Sequence, residues 1–222
     1  MTRRTTTILL MLVGCLYGTL PCFAAALAAP TPPSHEQLRE YYQSGKYHND
    51  VEHKTSEAKE YLDRQLETPR QHRLAIVLDI DETALSNYKA LERLSFTRNP
   101  QALTTAYMLG AAEPLLSTLN LYQHAVDHGV AVFFVSERPN TPELMAITEK
   151  NLKAAGFEQW EELILKPLDD ELSVQAFKTN SRRHIALQGF DIVLNVGDQD
   201  DDLKGGYGEI KVKMPNPFYE HA

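Results

Sequence analysis

Three stretches of this chain run apolar with almost no interruption, and nothing else in it constrains the fold as tightly. They are Leu74-Ala75-Ile76-Val77-Leu78, Ala131-Val132-Phe133-Phe134-Val135 and Ile192-Val193-Leu194-Asn195-Val196. A strand with one face in water alternates apolar and polar residues. A run without that alternation belongs to a strand buried on both faces, as in a parallel sheet covered by helices on each side. The expected architecture is therefore α/β, a Rossmann-like parallel sheet with helices on both faces. A length of 222 residues suits one such domain with an insertion.

Each run ends on a residue that can do chemistry. The first stops at Asp79-Ile80-Asp81-Glu82-Thr83, the second at Ser136, and the third at Gly197-Asp198 with Asp202 four positions on. In open α/β sheets, ligands bind beyond the carboxyl ends of the strands. If the backbone stays extended from 79 to 81, the period of two puts both carboxylates on one side. Carboxylates that close repel, and a cation or a shared proton must offset the repulsion. Two lysines compete as the cationic partner. Lys166 ends a short strand expected over 162–165, and Lys178 begins a helix expected over 178–188 that leads into the third run.

The set D-x-D-x-T at 79–83, Ser136, Lys178 and G-D-x-x-x-D at 197–202 resembles the site signature of the haloacid dehalogenase superfamily of phosphoryl-transfer enzymes. The longer strings AIVLDIDETALSN, VAVFFVSERP and IVLNVGDQDDDL are similar to the acid phosphatases of subfamily IIIB, which include the bacterial class C enzymes and plant relatives. The resemblance implies that Asp79 attacks phosphorus and forms an aspartyl-phosphate. It implies that Asp81 protonates the leaving group and then activates water, and that repulsion and burial keep Asp81 protonated. Ser136 and Lys178 would hold the phosphoryl oxygens, with Lys178 preferred over Lys166 because it precedes the third run. Metal would be bound by Asp79, Asp198 and the Asp81 backbone carbonyl, with Asp202 in support. A ligand set made only of oxygen calls for a hard cation, Mg²⁺. Asp200 and Asp201 are expected to be solvated. The implied activity is Mg²⁺-dependent hydrolysis of small phosphomonoesters. Its rivals are a 5′-nucleotidase or phosphotransferase dedicated to one metabolite, and a non-catalytic binding or storage relative.

Charge narrows the partners. The formal net charge is −8, and no basic patch interrupts it, which argues against a nucleic-acid polymer and for a small phosphorylated metabolite. Residues 1–28 read as a signal peptide: Arg3 and Arg4, a long apolar stretch, then Ala26-Leu27-Ala28. Export to the periplasm or medium follows. Leu12-Val13-Gly14-Cys15 also resembles a lipobox, which would anchor the chain to a membrane through Cys15. Both cysteines, Cys15 and Cys22, lie in this leader, so cysteine-ligated zinc is excluded once it is removed.

The phosphatase domain is expected over 29–222. It would carry a helical extension at 30–70 (helices over 35–43 and 47–66) and a small cap insertion at 87–113. The insertion is too short to seal a site. It carries Tyr88, Phe96 and Tyr107, each of which either stacks on a substrate ring or packs beneath the insertion. His124 and His128, one helical turn apart on a helix expected over 114–128, are read as structural.

Overall fold

The computed structural model describes residues 32–97 and 100–219, so the expected leader and Cys15 lie outside the described residues. Ser34 opens helix α1 (His35–Gln43) with a capping box: its hydroxyl accepts from the Gln37 amide, and the Gln37 side chain accepts from the Ser34 amide. Gly45, at φ +79°, supplies the left-handed break before α2 (Lys46–Leu66), a conformation that strains any residue with a Cβ. Strand β1 (Arg73–Leu78) follows. The insertion comes next, as β2 (Leu85–Ser86), α3 (Tyr88–Arg93), α4 (Pro100–Leu109) and β3 (Glu113–Pro114). Strands β2 and β3 pair antiparallel, Ser86 opposite Glu113, and close the base of that insertion.

The rest alternates helix and strand: α5 (Leu116–Asp127), β4 (Ala131–Pro139), α6 (Pro142–Ala154), β5 (Glu162–Lys166), α7 (Val174–Leu187), β6 (Phe190–Gly197), α8 (Asp200–Leu203) and β7 (Ile210–Lys213). Five strands form one parallel sheet in the order β5-β4-β1-β6-β7. The apolar runs lack alternation because each feeds two cores. Ala75 and Val77 join Phe133, Val135, Phe177 and Ile185 on the α7 face. Ile76 and Leu78 point the other way, into a core with Val132, Phe134, Leu62 and Leu121. Fully burying one such aliphatic or aromatic side chain stabilises the fold by about 1.5–3 kcal/mol.

Two boundaries differ most from the sequence expectation. Strand β4 runs three residues past Ser136 to Pro139. Helix α7 starts earlier than expected, because the Ser173 hydroxyl caps it by accepting from the Ala176 amide, and Lys178 falls in its second turn. His124 pairs with Asp63, and the His128 ring bonds the His124 carbonyl at 2.7 Å. Tyr88 and Phe96 pack under the insertion, in a cluster with Tyr42, Tyr47 and Phe218; Tyr88 stacks on Tyr42 at 3.5 Å between ring centroids. No described helix is long and apolar enough to cross a membrane.

Candidate active site

The chain leaves β1 toward β4 and β5, then returns to the other side of β1 for β6 and β7. The order of strands therefore reverses beside β1, where such sheets open a crevice at their carboxyl ends. Asp79 follows β1 directly, and its amide donates to the Val196 carbonyl of β6 at 2.9 Å. The crevice is walled by Asp79, Asp81, Asp198 and Asp202, with Tyr107 and Tyr219 among the residues around them. All four aspartates are 6% exposed or less.

Lys178 ties two of these acids together. Its ammonium group contacts Asp79 Oδ1, Asp202 Oδ1 at 2.7 Å and the Val135 carbonyl at 2.6 Å. Burial favours the neutral amine, but the charges of Asp202 and Asp79 outweigh it and raise the Lys178 pKa. For Asp79, burial pushes the pKa well above the usual carboxylate range, and Lys178 opposes that push. Lys166 is spent elsewhere, donating to the Asp170 carbonyl at 2.6 Å.

Asp79, Asp198 and Asp202 each offer an oxygen within 4.8 Å of the others, a spacing that suits one metal ion. Gly197 makes the approach possible, since a Cβ there would overlap the Asp202 side chain. Asp202 is fixed through its backbone: the Asn195 amide and the Arg182 guanidinium both donate to its carbonyl, at 2.9 Å and 2.5 Å. Arg182, 1% exposed, also donates to the carbonyls of Lys204 and Gly206, so it braces the α8 turn rather than standing in solvent. Asp198 accepts from Thr83 at 3.2 Å, from Asn216 at 2.7 Å and from Gln199. Asp200 is exposed and pairs with Lys204 and Lys213, away from the crevice. Lys178 and Arg138 are two buried cations that pair with this cluster. A divalent cation held by Asp79, Asp198 and Asp202 would have oxygen donors alone.

Asp81 has a counter-charge that the sequence expectation left out. Arg138 grips it with two bonds, Nε to Oδ2 at 2.8 Å and Nη2 to Oδ1 at 2.6 Å, and Asn87 donates to Oδ1 at 2.6 Å. The repulsion from Asp79 therefore does not act on an isolated carboxyl. Arg138 is 1% exposed, steadied by a bond to Thr148 at 3.0 Å and by the Tyr107 ring 4.6 Å from its guanidinium carbon. Ser136 is fully buried, and its hydroxyl accepts from the Arg138 amide at 3.2 Å.

The segment after β7 closes the other side. The Met214 amide extends the pairing to the Gly197 carbonyl at 2.9 Å, Asn216 holds Asp198, and the Tyr219 hydroxyl donates to Glu82. Glu82 is completely buried at φ +54°, and burial lifts its pKa to about 8. Its other oxygen accepts from the Asn87 amide at 2.6 Å.

Residues 23–222 match the family described as HAD superfamily, subfamily IIIB (Acid phosphatase). The chain belongs to this family. It is a phosphomonoesterase, a hydrolase of the acid phosphatase class. Its relatives include the stem 28 kDa glycoprotein of Glycine max, 36% identical over 195 residues, covering 83% of this chain and 73% of the relative. Acid phosphatase 1 of Solanum lycopersicum is 31% identical over 189 residues, with the same two coverages, 83% and 73%. Among solved structures, a class C acid phosphatase from Bacillus anthracis with tungstate bound superposes with a TM-score of 0.71 at 22% identity, over 84% of this chain and 86% of that one, a likeness of fold.

The geometry of this phosphatase brings Asp79, Asp81, Asp198 and Asp202 to one crevice and Lys178 into contact with two of them, while Ser136 is buried and meets the Arg138 amide. Sequence reasoning missed Arg138, Asn87, Asn216 and Tyr219. Arg138 had a readable signal: it lies two residues after Ser136, on the same side of a continuing strand. Asn216 and Tyr219 had none, because only the path of the chain after β7 brings them to the site.

Proposed function

We propose that this phosphatase hydrolyses small phosphomonoesters in a Mg²⁺-dependent reaction through an aspartyl-phosphate on Asp79. One observation carries the reading: Asp79 sits at the carboxyl end of the central strand, tied to Lys178, with Asp198 and Asp202 within reach of the same ion. In the first step an Asp79 carboxylate oxygen bonds to phosphorus and the ester P–O bond breaks, with the departing oxygen taking its proton from Asp81. In the second step Asp81 takes a proton from water, the water oxygen bonds to phosphorus, and phosphate leaves Asp79.

The hydrogen bonds choose the atom that moves this proton. Asp81 Oδ1 accepts two bonds, whereas Oδ2 accepts one from Arg138, so Oδ2 keeps a lone pair for the proton. Lys178 supplies positive charge to the phosphoryl oxygens, and Ser136 follows directly after the carbonyl that Lys178 bonds. Magnesium, held by Asp79, Asp198, Asp202 and the Asp81 carbonyl, would add Lewis-acid stabilisation of charge on those oxygens. The acidic crevice suits a single phosphoryl group on a small alcohol rather than a polyanion. Phosphate release from sugar, alkyl and aryl phosphates, measured with Mg²⁺ and after chelation, tests the whole reading. No release from any ester would return the chain to a storage role.

Asp198→Asn is expected to lose metal-dependent activity outright. Asp202→Asn, whose carboxylate is shared with Lys178, should weaken apparent Mg²⁺ affinity by about 10–100-fold, and Asp201→Asn should change little. Magnesium titration of the three variants decides the assignment, and a damaging Asp201→Asn beside a silent Asp202→Asn would reverse it.

We also infer export, with cleavage after Ala28 and no lipid. The intact mass of the mature protein should then correspond to a chain beginning at Ala29. A mass corresponding to an acylated Cys15 at the N-terminus would place the phosphatase on a membrane instead.

A further inference from the structure

Four buried side-chain polar atoms among the described residues have no hydrogen-bond partner: Tyr47 Oη, Arg70 Nε, Tyr107 Oη and Thr118 Oγ1. Of these residues only Tyr107 belongs to the wall of the crevice that holds Asp79 and Asp81. A buried hydroxyl left without a partner is costly, and native proteins rarely keep one unless water or a ligand satisfies it. Tyr107 is 4% exposed, so it is no solvated surface group. Its ring is also well placed, lying against the guanidinium of Arg138, which in turn grips Asp81. The unsatisfied hydroxyl therefore stands on the Asp81 side of the crevice.

We propose that Tyr107 is a specificity-determining residue whose hydroxyl hydrogen-bonds a hydroxyl group of the substrate's alcohol, next to the ester oxygen. The proposal rests on the reading of Asp81 as the group that protonates that oxygen. The alcohol must then leave on the Asp81 side, where Tyr107 waits. Burial raises the Tyr107 pKa well above its ordinary value, so the phenol keeps its proton and remains a donor. A phenol also accepts, so it can meet an alcohol in either sense. Of the three aromatics in the insertion, Tyr88 and Phe96 are committed to the cluster beneath it, which leaves Tyr107 as the one facing substrate. The insertion would thus contribute a single polar contact that separates hydroxylated alcohols from plain ones.

The test pairs two esters of the same three-carbon skeleton that differ only in hydroxyls on C2 and C3: glycerol 1-phosphate and propyl phosphate. Tyr107→Phe should lower kcat/KM for glycerol 1-phosphate by about 3–10-fold and leave propyl phosphate within about 2-fold. The ligand-free variant should melt no lower than the parent, since the hydroxyl has no partner among the described residues. Equal losses on both esters, no loss on either, or a lowered Tm would each overturn the proposal. Failure of the parent enzyme to release phosphate from either ester would remove the underlying assignment of the site as well.

Discussion

Asp79→Asn should abolish turnover and leave no phosphoenzyme to trap. An amide oxygen is too poor a nucleophile to displace an alkoxide, so the covalent step has no starting point. The substitution also takes one negative charge from beside Lys178, which keeps Asp202 as its anionic partner. The fold should therefore survive the change that destroys the chemistry. Removing a nucleophile that acts within a unit typically costs on the order of 10⁶ in kcat. The decisive measurement is acid-quench trapping with ³²P-labelled substrate, alongside thermal melting to show that the protein is folded. A labelled Asp79→Asn protein would place the nucleophile elsewhere.

Asp81→Asn should behave differently, because the nucleophile remains and the proton donor is gone. General acid–base help is typically worth about 10²–10⁴ in rate. The loss should be greatest with an alkyl phosphate, whose alkoxide leaves poorly without a proton. It should be least with a nitrophenyl phosphate, whose anion leaves readily. The phosphoenzyme should then accumulate with the activated ester, since water attacks Asp79-bound phosphate without a base. Arg138 sharpens the expectation. In Asp81→Asn one of the two oxygens that Nε and Nη2 bond becomes an NH₂ group, which cannot accept from a guanidinium and leaves a buried donor unsatisfied. An unsatisfied buried donor costs about 1–3 kcal/mol. The variant should therefore also melt lower than Asp79→Asn, and calorimetry on the two checks this. Equal rate losses on the two esters would mean that Asp81 is not the acid.

The parts of the site that were legible in the sequence are those that sit at strand ends. An unbroken apolar run fixes a buried strand, its last residue fixes a place at the sheet's carboxyl edge, and a period of two carries Asp81 to the same side as Asp79. Asp202 was legible through its offset from Asp198, and the structure adds the reason for the glycine before Asp198: the carboxylate must pass where a Cβ would be. Arg138 lay within the same logic, but an arginine next to a proline at a strand end looks like solvated flank. Arg182 lies on a helix whose spacing carries no sign that its three carbonyl partners stand 20, 22 and 24 positions further on. The insertion was the least legible part. Three aromatics in a segment without strong periodicity carry no sign of which one turns toward the crevice. That depends on how α4 packs against α6 and reaches Arg138 near the end of β4, a tertiary fact.

The segment after β7 has a consequence for when activity begins. Tyr219 meets Glu82 across 137 positions of sequence, and Asn216 meets Asp198 across 18. A chain is made from its amino end, so Asp79, Asp81 and Glu82 are among the early groups of the site and these two partners are the last. While synthesis continues, Asp198 lacks the Asn216 amide and Glu82 lacks the Tyr219 hydroxyl. A nascent chain thus carries Asp79 long before its surroundings are complete, and the contacts to Glu82 and Asp198 form only after the segment following β7 has docked.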